Sequence, residues 1–133
     1  MRDVRRHSVR EGVKLKRFMA IYIGTATATE KAGWASLDSE VRADREAKGM
    51  AAWGEWMRKN AAKVIDPGGP LGKTKRTSRE GISDAMNALA GYVIVEAESH
   101  DAAAALFRQH PHFVIFPGDS VEIMEILPMP GAP

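Results

Sequence analysis

Three short runs of this 133-residue chain are apolar on both faces of an extended backbone, and that feature constrains the fold most. Successive side chains of a strand point to opposite faces. In the first run Phe18, Ala20 and Tyr22 therefore oppose Met19, Ile21 and Ile23. In the second, Tyr92 and Ile94 oppose Val93 and Val95; in the third, Val121, Ile123 and Leu127 oppose Met124 and Ile126. An antiparallel sheet with helices on one face normally alternates apolar and polar residues, because its other face meets water. These runs do not alternate, so both faces of the sheet require cover.

The segments between them set the order of elements. Phe18 to Ile23 is strand one, closed by Gly24 and a Thr/Ala stretch. Trp34, Leu37 and Val41, then Met50, Trp53, Met57 and Val64, keep helical spacing, with charged residues on the other faces. This predicts one long helix, or two helices broken near Gly49, because glycine in a helix interior costs about 1 kcal/mol. Pro67-Gly68-Gly69-Pro70 reads as a turn or bulge, Leu71 to Ser78 as the outer part of strand two, and Ser83 to Ala90 as a connection with one helical turn. Tyr92 to Ala97 is strand three. Ser99 is an N-cap for a helix through Arg108, which His110-Pro111 ends, and Val121 to Leu127 is the last strand.

The expected class is α+β, with a ferredoxin-like β-α-β-β-α-β order and an antiparallel sheet. Two helices cover one sheet face only. An identical sheet from a second chain is the simplest cover for the other, which predicts a homodimer closed as an α/β-barrel.

Composition removes several functions. Without cysteine there are no disulfides, thiolate nucleophiles or cysteine-held zinc. Phe18 to Ile23 is far short of the roughly 20 residues that span a bilayer, so no membrane association is expected, and the cytoplasm is the expected location. The sequence pI near 9.0 suggests nucleic acid, but residues 1–17 hold seven Lys/Arg against Asp3 and Glu11. The chain as a whole is +2, so the residues after position 17 are mildly acidic in sum. A basic arm without interleaved aromatics lacks stacking platforms for bases. Nucleic-acid binding therefore ranks last, and residues 1–17 are read as a flexible tail ahead of a domain over 18–130.

At the level of motifs, Gly68-Gly69-Pro70-Leu71, Gly91-Tyr92-Val93-Ile94-Val95, Ser99-His100-Asp101-Ala102-Ala103-Ala104 and His110-Pro111…Gly118…Val121-Glu122-Ile123 resemble the YCII-related family over roughly residues 18–130. The resemblance implies a dimeric α/β-barrel with a cleft beside the sheet and activity on small molecules. The chain departs from the family pattern in two places. The Ala52-Trp53 region stands where many members have a histidine, and Asp84-Ala85-Met86-Asn87 stands for an Asp-Gly-Pro-Phe motif.

Four features bear on chemistry. Pro67 to Thr74 nearly spells a phosphate-binding loop, but Pro67 replaces its first glycine and no apolar-periodic helix comes after it, so a bulged turn is the better reading. His110 and His112, at i and i+2, point the same way if extended, as a proton-transfer pair requires; the alternative is a helix-ending turn. Trp53 and Trp56 either stack on a flat ligand or fill the core. Lys73, Lys75, Arg76 and Arg79 either attract an anionic molecule or acidic partner, or protect an edge strand.

The leading expectation is a dimer that binds or processes a small molecule, an anionic one if the basic residues contribute. Its pocket lies between the long helix and the sheet, with His112, His110 and Asp66 as acid/base candidates. Gly68, Gly69, Lys73 and Trp53 are ligand-binding candidates. No cofactor or metal is required. Within the histidine pair, His110 is expected to serve structure and His112, on an extended chain, to face the cleft. The rival is a non-catalytic interaction or regulatory module acting through its dimer surface.

Overall fold

The computed structural model describes residues 9–10 and 13–131. Most of the segment expected to be a tail lies outside the described residues. Within it, β1 (Val9–Arg10) and β2 (Val13–Lys14) pair antiparallel. The first long strand, β3 (Lys16–Ile23), begins two residues before the apolar run, with Lys16 opposite Ala97 and Arg17 opposite Glu96.

After β3 come α1 (Ala26–Lys31), a 3-10 turn at Trp34–Ser36 and α2 (Ser39–Lys59). The Thr/Ala stretch carries no helical period, yet it forms α1. Thr25 caps this helix, its Oγ1 accepting a hydrogen bond from the Ala28 N–H at 3.0 Å. Helix α2 passes through Gly49 without a break, so of the two readings the single long helix is the one formed. The glycine answers a tertiary need instead: a Cβ there would meet the Phe116 ring at 2.5 Å.

Strand β4 (Val64–Pro70) contains the Pro-Gly-Gly-Pro segment rather than ending at it. Register shifts between Val64 and Asp66, and between Asp66 and Gly69, absorb the extra residues. Gly68 sits at φ 61°, and a Cβ on it would overlap the Tyr92 carbonyl, so glycine is required. The stretch expected to be outer strand two is a separate strand, β5 (Thr74–Ser78), paired with β6 (Gly81–Ala85). No helical turn occupies Ser83 to Ala90. The alternation of Thr74, Arg76 and Ser78 with Lys75 and Thr77 suits a two-stranded ribbon wet on both sides.

Strand β7 (Leu89–Ala97), α3 (His100–Ala105), α4 (Pro111–Val114) and β8 (Ser120–Glu125) complete the chain. The main sheet is ordered β4-β7-β3-β8, and its neighbours are all antiparallel. Strand β7 lies between β4 and β3, which run parallel to each other. This is the split βαβ, ferredoxin-like order expected of the element sequence. No helix among the described residues is long and apolar enough to cross a membrane.

One face of this sheet is closed. Phe18, Ala20 and Tyr22 of β3 and Val93 and Val95 of β7 pack with Trp56, Ala103 and Phe107 into the core. Trp56 is anchored there by its Nε1–H, which donates to the Leu106 carbonyl at 2.9 Å. His100, expected only to fill the first turn of its helix, ties α3 to β8 by donating from Nε2 to the Ile123 carbonyl at 2.7 Å. On the other face Met19, Ile21, Tyr92 and Ile94 are half-buried and Met124 is exposed. Register places Met19 between Ile94 and Met124, and Ile21 beside Tyr92. Apolar side chains therefore cross three strands of the second face in the Ile94–Met19–Met124 row, while Glu122 of β8 stands beside Ile21.

Candidate functional site

The two histidines owe their positions to a turn between short helices. Helix α3 ends at Ala105, and Gln109 at φ 55° swings the chain so that His110 becomes the N-cap of α4, with Pro111 at its first position. His110 Nδ1 accepts the backbone N–H of His112 at 3.0 Å. The extended i, i+2 arrangement expected from the sequence is thereby replaced by a capping turn. The rings still converge, because both reach strand β3. His110 Nε2 lies 3.3 Å from the Tyr22 hydroxyl. His112 Nε2 donates to the Ile23 carbonyl at 2.7 Å, and the peptide at Gly118 packs directly on the His112 ring.

These rings line an aromatic cluster. The Trp53 centroid is 4.6 Å from His110, 4.8 Å from Tyr22 and 6.2 Å from His112, with Phe116 6.0 Å away. In front of the cluster opens a cavity of about 360 Å³. Its walls are Tyr22, Trp53, Tyr92, His112 and Phe116, closed by Met50 and Met57 of α2 and by Pro67, Gly69, Pro70, Ala90 and Gly91 along β4 and β7. The volume falls at the lower end of small-molecule sites, roughly 300–1,000 Å³. No Lys, Arg, Asp or Glu lines it.

Burial sets the protonation of the site. His110 is wholly shielded from solvent, and desolvation, aided by the neighbouring His112, pushes its pKa down to about 4. Desolvation also lowers His112, opposed by its bond to the Ile23 carbonyl and by the charge of Asp119. Burial raises the Tyr22 phenol well above its usual range. At neutral pH the site holds two uncharged imidazoles and an un-ionised phenol. Since the folded pKa of His110 lies below the unfolded value of about 6.5, the unfolded chain binds more protons between those values. Stability is therefore full above about pH 6.5 and is lost as pH falls toward 4, by on the order of 2–3 kcal/mol from this group. An NMR titration should show no His110 midpoint above about pH 5; a midpoint near the ordinary value of about 6.5 would contradict the shielded ring.

The structure separates the residues expected at the site. Trp53, His112 and Gly69 line the cavity, and His110 stands behind its wall. Trp56, weighed beside Trp53, belongs to the core. Asp66 does not join them: its Oδ1 accepts the Gly68 N–H at 2.9 Å and shapes the bulge. Gly68 has a backbone role only. Lys73 lines a separate, open depression at the base of the β5–β6 hairpin, beside Thr74, Lys75 and Asp84. Among the described residues no cluster of three or more metal-ligating side chains occurs.

Tyr22, Met50, Tyr92 and Phe116 also line the cavity, and nothing in the sequence marks them as site residues. Tyr22 and Tyr92 read there as strand residues, and strand periodicity marks a face without marking which end of it is left open. Phe116 falls in an irregular segment that carries no periodic signal.

No family model matches the chain, and no curated protein matches it. Among solved structures it is similar to 5-chloro-2-hydroxyhydroquinone dehydrochlorinase from Burkholderia phenoliruptrix AC1100, determined in complex with 2,5-dihydroxybenzoquinone. That protein is 19% identical over 81% of this chain and 90% of its own, with a TM-score of 0.45. A likeness of that degree carries neither reaction nor ligand across to this chain.

Proposed function

We propose that the protein is a homodimer that binds a small, uncharged, planar molecule in the aromatic cavity and acts on it through histidine acid/base chemistry. One observation carries this reading: an apolar, aromatic-walled cavity whose wall holds His112 and Tyr22. A flat, neutral ligand suits walls of Trp53, Phe116 and Tyr92, where stacked rings add to area burial. The absence of charged lining side chains disfavours the anionic ligand that Lys73 suggested. His112 is the single imidazole in the lining, and burial lowers its pKa, so it stands neutral and able to accept a proton. Its Nε2–H is committed to Ile23, so Nδ1 carries the lone pair that would accept a proton.

Dimerisation is supported by the open sheet face and by the β5–β6 hairpin, which leaves Ile82 and Met86 largely exposed. A lone two-stranded hairpin is marginal in water, and a second chain would supply its missing packing. This assembly is also what the resemblance of the Gly68–Leu71 and His110–Pro111 motifs to YCII-related proteins implies.

A thermal-shift panel tests the ligand reading, since binding to the native state raises apparent stability by mass action. Uncharged aromatic ketones and phenols are expected to raise Tm, aromatic carboxylates and amines to leave it unchanged, and Trp53→Ala to abolish the response. If no small molecule stabilises the wild type while its dimer is intact, the interaction-module reading replaces this one.

A further inference from the structure

We infer that Tyr22 is the hydrogen-bond donor of the cavity, held in that role by a fixed proton order through His110, and that the ligand presents a carbonyl-type acceptor oxygen to it. This deepens the ligand-binding reading above and rests on it.

The proton order begins at a group whose role is fixed. The backbone N–H of His112 can only donate, and it lies 3.0 Å from His110 Nδ1. That nitrogen must therefore be the unprotonated one. A neutral imidazole with a bare Nδ1 carries its proton on Nε2. His110 is completely buried among Trp53, Trp56, Phe107 and Tyr22, with no acidic side chain in its ring contacts. A second proton would place an unpaired charge in an apolar core. His110 Nε2–H thus donates to the Tyr22 hydroxyl oxygen, 3.3 Å away.

The Tyr22 oxygen is therefore an acceptor in this bond. Among the described residues the contact with His110 is the one hydrogen bond the hydroxyl makes, so its own proton finds no acceptor there. A buried donor left unsatisfied costs about 1–3 kcal/mol. Tyr22 lines the cavity, so an acceptor brought by the ligand relieves that penalty on binding. Burial keeps the phenol protonated, as a donor must be. An acceptor without formal charge matches the lining, and a carbonyl on a flat framework fits both the walls and the donor.

Two measurements test this. Long-range 15N NMR of the wild-type protein at neutral pH should find His110 as the Nε2–H tautomer. The Nδ1–H tautomer would overturn the inference, because Tyr22 would then spend its proton on His110. For the ligand, acetophenone and its hydrocarbon isostere α-methylstyrene are compared by NMR titration against wild type and Tyr22→Phe. Wild type should prefer the ketone by roughly three- to tenfold, the value of one hydrogen bond. Tyr22→Phe should lose the ketone preference, its acetophenone affinity falling while its α-methylstyrene affinity is kept. A ketone preference that survives in Tyr22→Phe overturns the role of Tyr22 and leaves the cavity reading standing. Failure of both probes to bind wild type overturns the cavity reading and this inference together.

Discussion

Gly118→Ala should destabilise the protein by about 3 kcal/mol or more and abolish ligand binding with it. A Cβ at Gly118 would overlap the Cε1 and Nε2 atoms of His112 and its backbone carbonyl. Rotating the ring away relieves only part of this, because the carbonyl is fixed by its bond from the Gly118 N–H at 2.9 Å. Overpacking of a closed site typically costs about 1–3 kcal/mol, more when backbone is involved. Displacing the ring also breaks its bond to Ile23, which ties α4 to the end of β3. Gly72→Ala is the comparison: nothing lies within 4 Å of a Cβ there, and the change should stay within about 0.5 kcal/mol. Denaturant titration of the two variants checks the contrast. Equal stabilities would mean that His112 is not held by the Gly118 segment.

The second large effect concerns assembly. Ile94→Glu should give a folded monomer at micromolar concentration, where sedimentation of the wild type should show a dimer. Ile94 sits at the centre of the open sheet face, opposite Met19 on one side and Asp66 on the other. A carboxylate there keeps its water in a monomer and loses it in a face-to-face dimer, a penalty of several kcal/mol for an unpaired charge. Val95→Glu, one residue on, is directed into the helix-covered core, where Val95 is wholly buried, and should unfold the chain. The two neighbours therefore separate loss of assembly from loss of fold. A wild-type monomer under these conditions would refute the dimer.

Much of the fold was legible because strand periodicity and caps are local signals. Phe18 to Ile23, Tyr92 to Ala97 and the Ser99 cap can be read from side-chain type alone. The segments left open are those where a tertiary contact decided. Gly49 is a helix breaker by propensity, yet it is there to admit Phe116. Pro67 to Pro70 spell a turn or a bulge, and pairing with β7 decides for a double bulge. The polar β5–β6 ribbon has no hydrophobic period from which to read it. For the site, His110, His112 and Trp53 stood out by residue type. Their connection to Tyr22 did not, since it spans 88 residues of sequence between His110 and Tyr22 and depends on how α4 docks against β3.

The three tryptophans provide the most direct test of the central claim. Trp53 lines the cavity, Trp56 is locked in the core by its bond to Leu106, and Trp34 stands outside the wall, 6.2 Å from Phe116. Their indole N–H resonances in a 1H–15N spectrum are separate reporters of one titration with acetophenone. With the ligand in this cavity, the Trp53 resonance should shift and saturate while that of Trp56 stays unmoved. A titration that leaves Trp53 unmoved, or that moves all three in proportion without saturation, would contradict a ligand site there.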